Sequence, residues 1–348
     1  MKRPFNSSRH FFLRFALSIT LVSVIALLGA LSWTIPARAQ TPAGKTLRLA
    51  STPWSPFTNE PGKARFALDL VHAALERAGI AATTTIVDEG KLTPALVKGE
   101  YDGSAALWKD AEREKTLLYS QPYLENRLLL IGRKGSDVSA AKLSALKGKR
   151  IALVETYAYG DEIRNSSGPV YVKSATEEDS LQKVIGSEVD YTLLDELVVE
   201  YIMKNYPDQA KKYLAFGSTP LLVRSLHFAV RKDLPGAASI IDKFNSELRG
   251  LVADRTYNRL LQLDWIQADV TGDGHMVNIP SSDQAGTSPP DHTYKLRSDQ
   301  SDSNSSTGFY VGGKVYQNWS TVPDAFKLAG PNDTVSGGTK FSIFSFKF

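Results

Sequence analysis

The chain contains no cysteine. That excludes disulfides, thiolate metal sites, thiol catalysis and a lipid-modified N-terminal cysteine, so stability must come from the apolar cores that a chain of 348 residues can build. Histidine is scarce, and its five copies show no metal-ligand spacing; His72 falls on a predicted helix, where packing or surface exposure is the ordinary role. There is no P-loop, GxSxG or dinucleotide fingerprint. Beyond the N-terminal leader there is also no basic run long enough to follow a phosphate backbone, which argues against a nucleic-acid partner.

The leader is the one strongly patterned segment of uniform charge. Lys2, Arg3, Arg9 and Arg14 precede an almost unbroken apolar run over 15–33, and Ala37-Arg38-Ala39 has the small-x-small form of a cleavage signal. Residues 1–39 are expected to be a signal peptide, with a mature chain starting at Gln40 and delivered to the periplasm; a retained membrane anchor is the alternative, because the run is long enough to span a bilayer. Lys2, Arg3, Arg9, Arg14 and Arg38 exceed the whole formal net charge of +4, so the remainder is slightly acidic.

From 47 to about 265, short apolar strands alternate with helical stretches, the pattern of an α/β fold. Strands are expected at 47–50, 83–87, 103–107 and 128–131, then at 150–154 and 191–194, with a return strand at 226–230. Leu68, Val71, Leu75 and Ala78 have helical spacing and Gly79 follows as a stop. Thr93-Pro94 is expected to open a short helix, Tyr157 to start another, and Ser174-Ala175-Thr176-Glu177 to cap a third. A helix is also expected over 235–251. Two successive α/β sets predict two lobes: 40–127 with 224–265, and 128–223. Residues 266–348 form an extension expected to be partly disordered. In it, 298–307 reads as a flexible linker, while Phe309-Tyr310-Val311, Gly312-Gly313 and Lys314-Val315-Tyr316 read as a hairpin. Asp269 to Gly274 has the opening of a calcium loop, but Pro280 stands where its last ligand belongs, so an Asp/Gly turn is the better reading and no metal or cofactor is expected.

Several segments in order carry a resemblance: "LRLASTPWSPF", "FALDLVHAALERAG", "KGEYDGSAALWKDAEREKTLLYSQPY", "LKGKRIALVETYAYGDEI", "GSEVDYTLLDELVVEYIM", "LHFAVRKDLPG" and "RTYNRLLQLDW". Over 47–265 the chain resembles the amino-acid-binding branch of the bacterial extracellular solute-binding proteins, the substrate-binding components of ABC transporters. The resemblance implies a two-lobed periplasmic-binding-protein-like α/β fold, with hinge strands near 123–127 and 223–227 and a ligand cleft between the lobes. It also implies a monomer that captures an amino-acid-like molecule for a membrane permease and performs no chemistry.

For the site, the resemblance implies Arg113 as the guanidinium fork for a ligand carboxylate and Asp195 as the partner of its ammonium. Asp195 also ends a predicted strand, where open α/β sheets place their crevices, and it could cap the next helix as well. Trp54 stands where the family has an aromatic wall, and Thr156 and Tyr157 would offer backbone N–H groups at a helix start. Ser51, Ala106 and Trp108 occupy positions where the pattern departs: Ser51 replaces an acidic or polar anchor, and Trp108 a small hydroxyl residue. Two large aromatics, Trp108 and Tyr157, should flatten the cleft. Glu155 would be the spare acid or base if the chain were instead an enzyme like the exported cyclohexadienyl dehydratases that resemble this family; a sensor module with a partner-docking tail is the third possibility.

Overall fold

In the computed structural model, which describes residues 45–282, 293–296 and 306–327, two long antiparallel strands organise the whole of the α/β part. β5 (Leu124–Arg133) and β9 (Leu214–Arg231) pair with Leu124 opposite Leu226 and Arg127 opposite Val223. The two expected hinge segments are thus adjacent strands of a single nine-stranded sheet of order β2-β1-β3-β9-β5-β8-β6-β7, with β4 also on β9. The predicted leader lies outside the described residues.

On the first-lobe side, β1 (Leu47–Ser51) runs parallel to β2 (Ala82–Ile86) and to β3 (Gly103–Trp108), while β3 and the short β4 (Leu117–Tyr119) run antiparallel to β9. On the other side, β8 (Tyr191–Asp195) is antiparallel to β5 and parallel to β6 (Arg150–Val154), which in turn pairs with β7 (Val170–Ser174). β6 and β8 are apolar runs buried on both faces, as expected of parallel strands covered by helices. Gly103 has a steric reason to be glycine: a Cβ there would stand 2.2 Å from the Ala229 carbonyl of β9.

Helix α1 (Phe66–Arg77) buries Leu68, Val71, Ala74 and Leu75 and ends before Gly79 at φ +71°, as its spacing predicts. It packs against α7 (Ala237–Ala253) and α8 (Thr256–Leu261). Three helix starts differ from expectation. α2 (Leu92–Lys98) begins ahead of Thr93-Pro94 with no side-chain cap. α4 (Glu177–Ile185) is capped by Thr176, whose hydroxyl accepts from the Asp179 N–H while Asp179 accepts from Ala175 N–H, so the capping box sits two residues later than Ser174. No helix begins at Tyr157; after β6 the chain turns and only a single helical turn, α3 (Asp161–Arg164), follows Gly160 at φ +92°.

The extension is more ordered than its composition suggests. β10 (Trp265–Ala268), β11 (Met276–Pro280), β12 (Tyr294–Leu296), β13 (Ser306–Val311) and β14 (Lys314–Tyr316) form a second sheet of order β12-β10-β11-β13-β14. The expected hairpin is there, Phe309 opposite Tyr316, turning at Gly312 and Gly313 with φ +58° and +77°. The end of the expected linker, Ser306 and Thr307, belongs to β13; 298–305 and 340–348 lie outside the described residues. The Asp269 carboxylate accepts from the N–H groups of Gly272 and Gly274, so it holds a turn.

This second sheet is tied to the middle of the first. On β12 the Tyr294 hydroxyl donates to Glu196 (2.9 Å), Arg127 of β5 pairs with the same carboxylate at 3.1 Å, and its guanidinium lies 5.7 Å from the Tyr294 ring centre. Glu196 is the first residue of α5 (Glu196–Asn205).

Candidate functional site

The loops that leave the carboxyl ends of β1, β2, β3 and β6 converge, the place where open α/β sheets build binding crevices. They enclose a cavity of about 280 Å³ whose wall includes Thr52, Trp54, Glu89, Ala106, Trp108, Arg113, Thr156, Tyr157 and Leu226. Six of the eight residues singled out from the sequence are therefore on one cavity: Trp54, Ala106, Trp108, Arg113, Thr156 and Tyr157. Ser51 and Asp195 are not. Ser51 is the last residue of β1 and is buried, its hydroxyl without a partner among the described residues; side chains alternate across a strand, and the wall position belongs to its neighbour Thr52.

Four aromatic rings from both sides of the cleft meet edge to face. Trp54 lies 5.6 Å from Trp108 and 5.8 Å from Tyr157; Trp108 lies 5.3 Å from Tyr157 and 5.6 Å from Tyr159. Such pairs contribute beyond their buried area, roughly 0.5–1.5 kcal/mol each.

Polar contacts cross the same seam. Trp54 Nε1 donates to Glu177 Oε1 (3.0 Å) and Arg113 Nη2 to the Thr156 carbonyl (3.0 Å), while the Thr156 hydroxyl donates to Glu89 Oε2 (2.9 Å). Arg113 also reaches the Trp108 carbonyl at 3.3 Å and faces Asp110 at 3.5 Å. Thr156 thus contributes its carbonyl and hydroxyl. The N–H of Tyr157 bonds back to the Val154 carbonyl, which corrects the expectation of free helix-start donors here.

Asp195 is fully buried and does what its other reading required. Its Oδ1 accepts the Leu197 N–H, capping α5, and its Oδ2 accepts Asn126 Nδ2 at 3.0 Å. Asn126 in turn accepts Trp108 Nε1 at 2.7 Å, so the indole is hydrogen-bonded over the carboxylate. Glu155 is exposed and paired with Lys173, outside the cavity. Sequence reasoning missed Glu89, Glu177, Asn126 and Thr52. Glu89 was findable, since it follows the carboxyl end of β2 by a few residues, the same rule that singled out Asp195.

Burial raises several of these carboxyls. Desolvation pushes Asp195 up to about 7, and it lifts Glu177, Glu89 and, on α5, Glu200 above the usual range. A carboxyl whose folded value is raised binds its proton more tightly in the native state, so it subtracts stability as pH climbs from the unfolded value near 4 through the folded one. His72, half-buried with its value lowered, acts the opposite way up to about pH 6.5. The carboxylates held below their usual range, such as Asp102 and Asp179, act below that window. The melting temperature is therefore expected to fall from about pH 4 to about pH 7, and to fall less in Glu177→Gln. Equal slopes in the two proteins would contradict the assignment to this seam.

The family model for "Bacterial extracellular solute-binding proteins, family 3" matches residues 48–268. No curated protein sequence matches the chain. Among solved structures, an arginine third transport system periplasmic binding protein from Legionella pneumophila is similar at 22% identity and TM-score 0.54, over 62% of this chain and 98% of that one. The GluR0 ligand-binding core from Nostoc punctiforme, in complex with L-glutamate, is similar at 20% identity and TM-score 0.51, over 62% and 96%. The substrate-binding protein of an amino acid ABC transporter is similar at 21% identity and TM-score 0.50, over 62% and 97%. At these identities the likeness shows the fold, two lobes about a cleft.

Proposed function

The chain belongs to family 3 of the bacterial extracellular solute-binding proteins, and we propose that it captures an amino-acid-like small molecule in the cavity between its lobes and passes it to an ABC importer, without chemistry. Residues 1–39 direct export to the periplasm, 40–127 with 224–265 form the first lobe, 128–223 form the second, and the mature protein is a monomer. The ABC-transporter relative supports the partner by analogy of fold alone.

The observation that carries the reading is Arg113. Its side chain is 15% exposed, lines the cavity, and reaches across the seam to the other lobe's Thr156. Nη1 and Nη2 each spend one N–H on a carbonyl and Nε faces Asp110, which leaves one N–H on each Nη to offer a carboxylate. Closure that brings Arg113 to Thr156 as ligand enters is how such a lobe pair signals a loaded state.

The test is a thermal-shift screen of residues 40–348 against the amino acids, small amines and aromatic carboxylates. A ligand at 100 times its dissociation constant should add about 2.7 kcal/mol to stability. Arg113→Ala is expected to weaken any carboxylate-bearing hit by about 100-fold. A hit indifferent to Arg113→Ala, or none in the panel, would argue against amino-acid capture.

A further inference from the structure

Asp195 is withdrawn from the cavity. It is fully buried, both oxygens are spent on Leu197 and Asn126, and Trp108 covers Asn126 from the cavity side with a 2.7 Å hydrogen bond. A ligand ammonium reaching Asp195 would have to displace the indole and break that chain.

The cavity wall holds two charged side chains, Arg113 and Glu89. Arg113 has an acid beside it in Asp110. Glu89 enters no ion pair among the described residues; hydroxyls of Thr52 and Thr156 donate to it instead. It shares the cavity wall with Trp54, Trp108 and Tyr157, and aromatic rings also favour a cation. Arg113 and Glu89 both bond to Thr156, one through its carbonyl and one through its hydroxyl. A single residue therefore separates the positive and negative poles of the cavity, close enough for the adjacent carboxylate and ammonium of one small molecule.

We infer that Glu89, and not Asp195, is the anionic partner of the ligand's cationic group, with Arg113 taking its carboxylate and Asp195 serving as an internal strut. This rests on the amino-acid reading of the cavity. Burial, with Glu178 adding to it and the Thr52 and Thr156 hydroxyls and Arg113 opposing it, holds the Glu89 carboxyl above its usual range; an ammonium beside it favours ionisation, so binding is accompanied by proton release.

The experiment is titration calorimetry of wild type, Glu89→Gln and Asp195→Asn against those of the twenty L-amino acids that bind wild type, together with the deaminated acid of each. Glu89 is only partly buried and the glutamine is isosteric, so this variant keeps its fold, which its melting curve checks. The expected result is a roughly 10- to 100-fold loss in Glu89→Gln for the amino acid, with the deaminated acid unchanged within about threefold. Affinity for the amino acid retained in Glu89→Gln, or a loss that falls equally on the deaminated acid, overturns the inference, and a selective loss in Asp195→Asn alone returns the ammonium to Asp195. If wild type binds none of the twenty, the amino-acid reading itself falls and takes this inference with it.

Discussion

Trp108→Ala is expected to cost about 4 kcal/mol of folding stability, at the upper end of core truncations. The indole is 5% exposed, touches Trp54, Tyr157 and Tyr159, and its Nε1 is the donor that satisfies Asn126. Truncation leaves a void between the lobes and an unpaired amide oxygen beside a buried carboxylate. Trp108→Phe separates the two effects: it keeps most of the packing and loses only the hydrogen bond, so its cost should be about 1–2 kcal/mol. Chemical denaturation of the three proteins measures both, with the midpoint shifting and the slope unchanged. A Trp108→Ala midpoint close to that of Trp108→Phe would mean that the aromatic seam collapses around the missing ring and that its packing is worth little.

The second large effect is expected at Arg127. Breaking a buried pair by removing one partner typically costs 3–5 kcal/mol, because the other charge is left without compensation. Glu196 is 23% exposed at its side chain, so water recovers part of this and about 3 kcal/mol is the expected loss for Arg127→Ala. The guanidinium also lies against Tyr294, and the variant should therefore loosen the second sheet from the first. Hydrogen exchange at 294–296 should quicken more than exchange within β6. Arg127→Ala combined with Glu196→Gln should recover stability relative to the single variant; if the two losses simply add, the pair is not the connection.

The α/β fold was legible in the sequence because its strands and helices are written in hydrophobic period. Leu68, Val71 and Leu75 mark a helix face, and the apolar run 151–154 of β6 marks a strand covered on both sides. Arg113, Trp54, Trp108 and Tyr157 were singled out by the resemblance, and the structure brings them to one cavity because each ends or follows a strand at the same edge of the sheet. The role of Asp195 was not legible. Whether a strand-end aspartate faces a cavity or caps a helix depends on what lies above it, and here that is Trp108, 87 positions earlier, through Asn126. Tyr157 failed as a helix start because its N–H returns to Val154, a turn that no local composition announces. The second sheet was hidden for a different reason. Its glycine turn announced the hairpin of β13 and β14, but β10, β11 and β12 are only three to five residues long, too short for a period to show.

The eighteen-residue strand β9 also bears on how the molecule comes to be assembled. β3 finds its inner neighbour only at 226–230, more than a hundred positions later, and β1 and β2 join the centre of the sheet only through β3. The stretch from β5 to β8, by contrast, is continuous, and its strand pairs lie closer in sequence than β3 and β9. Loop-closure entropy therefore favours early order in β5 to β8 and delays the first lobe until β9 arrives. Most of the cavity wall, including Trp54, Glu89 and Arg113, is built from the segment that waits. The ability to hold a ligand should accordingly be among the last properties to appear during refolding.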